Sequence, residues 1–437
     1  MKINEIAFLN FRRFTGQHRI SLHPELTVFA ANNGAGKTSI LDAIALAFGS
    51  FLTRLPKISG NSPRDSDVSI PPESGAPVLI LAADVQLSAE HSARWTRHRV
   101  APYESFTKRD AKKFTEDRVP TGIKEINAYA DHLSQNQDSE EVFPILAYYG
   151  TGRAILDVPQ RRRGFGKEFP RIQAYADCLN PKTNFRKLFE YFYFLEDLER
   201  REKEERQDWS HRNGQLEALR NAIVACIPEF ENPRTKLAPL RLILDSKADG
   251  REYDIKILSD GFKTCIAMVM DIAMRMVEAN PKLGAKALNI PGIILIDEIE
   301  LHLHPSWQQR IIPDLQRTFP NVQFICTTHS PQVLSTVKQE SIRVITEDGT
   351  ILTGEEVGVN SYGAQSYFIL EDLMNVSPNP HIAEVEALKD TLKSQLEGSG
   401  LKLDHPDLLK LEQMIGSKDP FIRNLKASII RKGKVHA

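Results

Sequence analysis

The sequence has few cysteines, no long apolar run and no excess of charge of either sign. Its four cysteines lie far apart and form no C-x-x-C pair, which argues against a zinc ribbon or a disulfide framework. No stretch approaches the ~20 apolar residues of a membrane-spanning helix, and MKINEIAFLNFRRF at the N-terminus lacks a signal-peptide core. We therefore expect a cytoplasmic protein without a membrane partner. The 56 Lys and Arg against 57 Asp and Glu leave a net charge of −1, so any nucleic-acid contact needs a local basic patch.

Four segments are predicted along the chain, because 437 residues are too many for one ordinary core. Alternating strand and helix patterns in residues 1–172 and 232–357 predict two lobes of an α/β fold with a parallel sheet. Residues 173–231 have helical spacing and a mixed-charge run, which predicts an insertion of one or two long helices. Residues 358–437 are also predicted to be mainly helical, with apolar residues at a period of 3.6.

A phosphate-binding loop is predicted in the stretch ANNGAGKTS, which runs from Ala31 to Ser39. It matches the pattern G-x-x-x-x-G-K-[ST] except that Ala31 replaces the first glycine. The apolar LTVFAA before it predicts a buried strand, and a helix is predicted from Gly36 to about Phe48. Backbone N–H groups of such a loop, and the helix dipole, bind phosphate oxygens. The residues predicted to bind the nucleotide here are Asn33, Gly34, Gly36, Lys37, Thr38 and Ser39.

Two side chains of this loop have separate predicted tasks. Lys37 would reach the β- and γ-phosphates of ATP, and the Thr38 hydroxyl would bind Mg²⁺. Ala31 is small enough to turn the chain if its φ stays negative. We therefore predict a working ATP site.

A second half of this site is predicted in GIILIDEIELHLHP. Its apolar residues, from Ile293 to Ile296, predict a buried strand that delivers Asp297 and Glu298 to its carboxyl end. Asp297 would bind Mg²⁺ through water, and Glu298 would polarise the attacking water as the catalytic base. The alternative is a solvated acidic turn, which the phosphate loop disfavours.

Two further motifs, taken alone, are weaker evidence for a nucleotide site. Ser259 and Gly261, in ILSDGFKT, come just before a predicted helix, whose N-terminus is able to bind an anion or is simply capped. His329, in FICTTHSP, follows a predicted buried strand, where its imidazole would contact the γ-phosphate or serve structure alone.

In this order the four motifs resemble ABC-type ATPases of the SMC/Rad50/RecF branch. FLNFRRF resembles the opening strand and arginine of that branch, LSDGF its LSGGQ-like signature, IDEIELHLHP its Walker B motif and D-loop, and TTHSP its switch histidine. The resemblance implies an ATPase head with a mixed sheet, a parallel phosphate-loop core and an antiparallel lobe. It also implies that Arg12 or Arg13 contacts the nucleotide. Ser259 and Gly261 would bind the γ-phosphate held by the opposite protomer of a homodimer or larger homo-oligomer.

The sequence departs from that branch at two points. Asp260 replaces a signature glycine and places a carboxylate near phosphate, which would slow turnover. The usual Q-loop glutamine is absent, and AYYGTGR (Ala147 to Arg153) occupies its region. We expect the tyrosines there to serve packing.

Within the branch, the insertion is too short for an SMC or Rad50 coiled coil, and transporter ATPases lack NFRRF. The acidic turn TEDGT has no partner cluster, so we predict no nuclease active site in this chain. LAYYGTGR, GVNSYGAQSYFILEDLM and the helical tail resemble the Septu-type antiphage ATPases. That resemblance implies a separately encoded HNH nuclease partner, in some systems a retron, and contact with DNA or tRNA through the complex. A RecF-like repair ATPase is the alternative, and a scaffold with a dead nucleotide site is disfavoured by intact Lys37, Thr38, Asp297 and Glu298.

Overall fold

The structure is a computed structural model of the 437-residue chain. It describes residues 1–69, 78–88, 90–101, 123–152, 170–181, 186–237, 241–377, 382–397 and 401–435. The chain divides into two compact units, Met1–Asn375 and Val376–Ala437. No helix among the described residues is both long enough and apolar enough to cross a membrane.

The first unit contains every strand of the described ranges, and these strands form three sheets. In chain order they are β1 (Lys2–Phe11), β2 (Phe14–Ser21), β3 (Leu26–Ala30), β4 (Val78–Gln86), β5 (Ser92–Val100), β6 (Ile145–Tyr149), β7 (Phe230–Lys236), β8 (Arg241–Ser246), β9 (Glu252–Asp254), β10 (Gly292–Ile296), β11 (Val322–Thr328), β12 (Ile342–Ile345) and β13 (Ile351–Thr353).

A six-stranded sheet with the order β13-β12-β3-β11-β10-β6 forms the centre of this unit. All its neighbours pair in parallel except β12 and β13. Strands β3, β6, β10 and β11 are buried along their whole length, because a parallel sheet is covered on both faces. Their carboxyl ends meet at one edge, and there the chain leaves β3 for the predicted phosphate loop.

Two antiparallel sheets complete the unit, with the orders β2-β1-β4-β5 and β7-β8-β9. The mixed α/β fold predicted from the sequence, with a parallel core and an antiparallel lobe, is therefore confirmed. One side chain connects the first antiparallel sheet to the parallel sheet. The fully buried amide of Gln323 on β11 accepts from the Ile3 backbone N at 2.7 Å, and it donates to the carbonyl oxygens of Ile3 at 2.8 Å and His23 at 3.0 Å.

Helices cover these sheets and form the insertion and the tail. The longer ones are Lys37–Arg54, Ile123–Gln135, Arg186–Arg206, Gly214–Cys226, Asp260–Ala279, Ile311–Thr318, Ala383–Glu397, Pro406–Ile415 and Pro420–Val435. The helices from Arg186 and Gly214 lie in the insertion predicted to hold one or two long helices. The Asp260–Ala279 helix, named here the signature helix, includes Gly261, which the sequence pattern places just before its start.

The phosphate-loop helix continues to Arg54, beyond its predicted end at Phe48. Gly49 is a stop signal in sequence, but in the structure a Cβ there would lie 1.9 Å from the carbonyl oxygen of Asn61. The glycine therefore permits a close approach of two backbone segments. Beyond it, Phe51 and Leu52 are buried, and their burial favours the longer helix.

The sequence pattern predicts one helix from Ser306 to Thr318, and this prediction is wrong. The chain forms two helices there, Pro305–Gln308 and Ile311–Thr318. Arg310 between them has a non-helical φ of −128°. Its guanidinium lies 4.5 Å from the centre of the Trp307 ring and forms an ion pair with Glu229 at 2.8 Å. The side chains of Trp307 and Glu229 thus hold Arg310 at the junction of the two helices.

The second unit has an apolar core of its own, built from its three helices and the segment between the first two. The buried residues of this core are Val385, Leu392, Leu401, Leu408, Leu411, Ile422, Leu425 and Ile429. The boundary between the units follows Asn375, so residues 358–375 are part of the first unit.

Replacing Gln323 with alanine should lower the stability of the first unit. Two buried backbone groups of Ile3 would lose their partners, so we expect the free energy of unfolding to fall by about 2–4 kcal/mol. Denaturant titration would measure the change, and Gln309→Ala on an exposed position serves as the matched control. Equal stability of the Gln323 variant and the wild type would contradict the proposed connection between the sheets.

Candidate functional site

The loop after β3 has the backbone of a phosphate-binding turn. Gly34 and Gly36 have φ values of 75° and 99°, a region that favours glycine. A Cβ on Gly36 would also lie 2.7 Å from the Phe14 ring, so no larger residue fits. Ala31 is absent from the positive-φ residues and takes the place of the first glycine of the pattern without strain.

Lys37 lies inside this loop with its side chain largely buried. Its Nζ donates to the carbonyl oxygens of Ala31 at 2.9 Å and Asn32 at 3.1 Å, and it lies 3.4 Å from His329 Nδ1. Burial lowers the pKa of Lys37 to about 8, although the carboxylates of Asp297, Glu298 and Glu300 oppose the shift. A buried ammonium that donates to carbonyl oxygens of its own loop is well placed to bind an incoming polyphosphate.

Thr38 and Asp297 are brought together across the sheet edge. The Thr38 hydroxyl donates to Asp297 Oδ2 at 2.8 Å, and the Thr327 hydroxyl donates to Asp297 Oδ1 at 2.6 Å. Asp297 is 1% exposed, whereas Thr38 is exposed. Hydroxyl and carboxylate oxygens are the hard donors that Mg²⁺ prefers, so the chemistry of this pair fits that ion.

Glu298 begins a tight turn directly after β10. Its φ of 46° lies in the left-handed region, and its carbonyl oxygen accepts from the Leu301 backbone N at 2.9 Å. Its own backbone N donates to the Thr327 hydroxyl at 2.7 Å. Such an outlier backbone conformation at a sheet edge is common where a side chain must face a ligand.

His329 follows β11 and lies beside Lys37. Burial lowers its pKa first, and the nearby Lys37 ammonium lowers it further, while Glu300, Glu298 and Asp297 raise it. An imidazole beside a protonated lysine is thereby favoured in its neutral form. Neutral Nδ1 would then accept from the lysine.

Ser259 and Gly261 lie at the N-terminus of the signature helix. Ser259 is exposed and its side chain makes no capping bond. Gly261 is buried, and a Cβ there would lie 2.4 Å from the carbonyl oxygen of His302, in the turn after Glu298. Among the described residues, no hydrogen bond or ion pair joins Ser259 or Gly261 to the phosphate loop of their own chain. Asp260 pairs with Lys263 at 3.2 Å.

The two predicted arginines occupy different positions. The Arg13 guanidinium donates to the carbonyl oxygens of Gly34 in the loop and of Glu347 in the β12–β13 turn. Arg12 instead forms ion pairs with Asp42 on the phosphate-loop helix and Asp67. Arg13 thus contacts the phosphate loop, whereas Arg12 contacts the phosphate-loop helix.

The other predicted loop residues lie on its rim. Asn33 is exposed and Ser39 is half-buried at the start of the phosphate-loop helix. Their placement is consistent with backbone contacts to a phosphate, which stay a prediction.

Two tyrosines stand where a Q-loop glutamine was expected. The Tyr148 hydroxyl donates to Asp42 on the phosphate-loop helix at 3.0 Å, and the Tyr149 hydroxyl donates to Asp271 on the signature helix at 2.7 Å. Burial raises the pKa of both phenols, so both stay protonated donors. Arg153, at the end of the same stretch, lies outside the described residues.

Sequence reasoning missed Thr327 and Glu300. Thr327 connects Asp297 to β11, and Glu300 accepts from the Thr328 hydroxyl at 2.7 Å and from the backbone N of His329. The signal for Glu300 was its place two residues after Glu298 at a strand end. Thr327 offered no signal, since threonine is common in strands.

Family comparisons cover most of the chain. The family model described as AAA domain matches residues 5–231, more than half of the 437 residues, and the one described as AAA ATPase domain matches residues 174–334.

Similar proteins include ATPases of known systems. The Retron Ec83 probable ATPase of Escherichia coli is 28% identical over 87% of this chain and 77% of its own length. The Retron Vc95 probable ATPase of Vibrio cholerae serotype O1 biovar El Tor is 27% identical over 79% of this chain and 74% of its own length. The Septu protein PtuA of Bacillus thuringiensis is 32% identical over 44% of this chain and 50% of its own length. The predicted relationship to Septu-type ATPases is confirmed.

Among solved structures, an SMC head bound to the C-terminal winged-helix domain of ScpA has a TM-score of 0.46 with 15% identity. It covers 81% of this chain and 98% of its own. The family matches, which include both halves of the site described above, lead to one conclusion. The chain belongs to the family described as AAA domain and is an ATPase.

Proposed function

We propose that this chain is the ATP-hydrolysing subunit of a bacterial antiphage defence system and that its nucleotide state controls a separately encoded HNH nuclease. The observation that carries the ATPase part is the meeting of Lys37, Thr38, Asp297 and His329 at one sheet edge. The names of the retron ATPases and the Septu protein PtuA support the defence part. These names favour defence over a RecF-like role in repair.

Each residue of the site has a distinct task in this proposal. Lys37 leaves the carbonyl oxygens of its own loop and binds the β- and γ-phosphates of ATP. Thr38 and Asp297 hold Mg²⁺, which neutralises phosphate charge when bound. Glu298 orients and deprotonates the attacking water, and His329 contacts the γ-phosphate.

The proposed catalytic unit is a head-to-tail homodimer. Ser259 is exposed and without a capping bond, and the N-terminus of the signature helix offers free N–H groups to an anion. In the dimer these groups would bind the γ-phosphate held by the partner's phosphate loop. A larger homo-oligomer built from such dimers would use the same shared site.

Two substitutions separate nucleotide binding from hydrolysis. Lys37→Ala should weaken ATP binding at least about tenfold, because a charge-assisted contact to phosphate is lost. Glu298→Gln should bind ATP with the wild-type affinity. Its rate of hydrolysis should fall at least about 100-fold, because an amide is a poor base. Calorimetry with ATP and a phosphate-release assay would measure the two effects.

Lys338→Ala, on a lysine whose side chain is 67% exposed, is the matched control for the charge. Hydrolysis by the Glu298→Gln protein at the wild-type rate would show that Glu298 is not the base.

Mixing two inactive variants tests the shared site. Lys37→Ala and Ser259→Arg chains would form a mixed dimer with one site that carries both defects and one that carries neither. We expect the mixture to recover about a quarter of the wild-type rate, since half of the dimers are mixed and each has one intact site. Phosphate release after co-refolding or co-expression measures this. A mixture no more active than either variant alone would contradict shared sites.

Removing Val376–Ala437 tests the contact with the nuclease. This unit has its own apolar core and an exposed apolar Ile382, Leu409 and Met414, which suit a partner surface. We expect the truncated chain to bind ATP but to lose the product of a neighbouring HNH gene in co-purification. Retained co-purification would place the contact elsewhere, and aggregation of the truncated chain would show that the unit serves stability of its own chain.

A further inference from the structure

Glu300 holds the segment that carries His329. One carboxylate oxygen, Oε1, accepts from the His329 backbone N at 2.5 Å, and the other, Oε2, accepts from the Thr328 hydroxyl at 2.7 Å. Each oxygen thus has one donor, at the last residue of β11 and at the residue directly after it. A bidentate contact of this kind fixes direction as well as distance.

The turn that carries Glu300 is itself anchored. The Ile299 backbone N donates to the Thr327 carbonyl oxygen at 3.0 Å, and the Leu303 backbone N donates to the Glu300 carbonyl oxygen at 2.9 Å. The carboxylate therefore extends from a fixed backbone on one strand end to the neighbouring one. Without the Glu300 carboxylate, the backbone N–H of His329 and the hydroxyl of Thr328 would each lose a hydrogen-bond acceptor.

The charges around His329 come from two directions. Lys37 faces it from the phosphate loop at 3.4 Å, and Asp297, Glu298 and Glu300 face it from the end of β10. The lysine lowers the pKa of His329 and the three carboxylates raise it. Glu300 is the carboxylate that also touches the histidine backbone.

We propose that Glu300 is a positioning residue that holds His329 beside Lys37, where the imidazole meets the γ-phosphate. This inference rests on the proposed function of the site. It adds a third acidic residue to the two that the sequence motif singles out. Glu300 acts through His329 and does not touch the reacting atoms.

A double-mutant cycle tests this proposal. Glu300→Ala and His329→Ala should each lower kcat about tenfold or more, with the affinity for ATP changed less than about threefold. The double variant should be no slower than His329→Ala alone, because Glu300 acts through the histidine. Glu340→Ala, on an exposed glutamate outside the site, is the matched control.

Glu300→Gln separates geometry from charge. Its amide oxygen can still accept from His329 N–H, so we expect kcat within about threefold of wild type at its optimum pH. The lost negative charge lowers the pKa of His329 further. The limb of the pH–rate profile that reports His329 should therefore move to lower pH.

Opposite results separate the two claims. If the two single effects multiply in the double variant, or if Glu300→Ala or His329→Ala is as active as wild type, the role of Glu300 is overturned. Wild-type hydrolysis by Glu298→Gln would instead contradict the proposed function of the site. Should Glu300→Ala fail to fold, kcat of Glu300→Gln still decides, because its amide oxygen keeps the acceptor for His329 N–H and a loss of much more than threefold would overturn the role.

Discussion

The carboxylate of Asp297 is the point on which the rest of the site depends. It is almost fully buried, and a buried carboxylate is costly unless hydrogen bonds satisfy it. Thr38 from the phosphate-loop helix and Thr327 from β11 satisfy it, and its backbone N donates to Tyr149 at the end of β6. Three strand ends and one helix therefore have to meet around a single residue. The order of the parallel strands therefore determines the geometry of the site.

This arrangement also explains the condition of Lys37. The ammonium lies close to three carboxylates and inside a loop of carbonyl oxygens, yet burial still lowers its pKa to about 8. Its charge is thus held in a place where water solvates it poorly. A polyphosphate anion supplies the compensation that the carbonyl oxygens provide only in part.

The signature helix is connected to this site within one chain. Gly261 packs against the carbonyl oxygen of His302, in the turn that Glu298 begins, and Tyr149 reaches Asp271 in the same helix. A ligand bound to that helix by a second chain would therefore act on the turn that carries the proposed base. The absence of a side chain on Gly261 lets the signature helix approach this turn closely.

Much of this was predictable from local sequence patterns. Apolar runs followed by ANNGAGKTS, by DE and by THS predict strand ends with chemistry, because parallel strands place their carboxyl ends at one edge. What failed depends on contacts that are distant in sequence. From the sequence, Gly49 predicts a helix end, because the close approach of Asn61 is visible only in the structure. Arg310 is predicted to be helical, because its contacts with Trp307 and Glu229 are also visible only there. The sequence alone does not tell whether Arg12 or Arg13 contacts the phosphate loop. The ion pairs that Arg12 forms with Asp42 and Asp67 distinguish the two arginines in the structure.

We propose that the edge formed by β3, β10 and β11 binds ATP and Mg²⁺ as one site. A structure of the Glu298→Gln protein with both ligands tests this most directly. We expect Lys37 Nζ to leave the carbonyl oxygens of Ala31 and Asn32 for phosphate oxygens, and Thr38 and Asp297 to face the ion. A nucleotide bound elsewhere, with Lys37 still on those carbonyl oxygens, would contradict it.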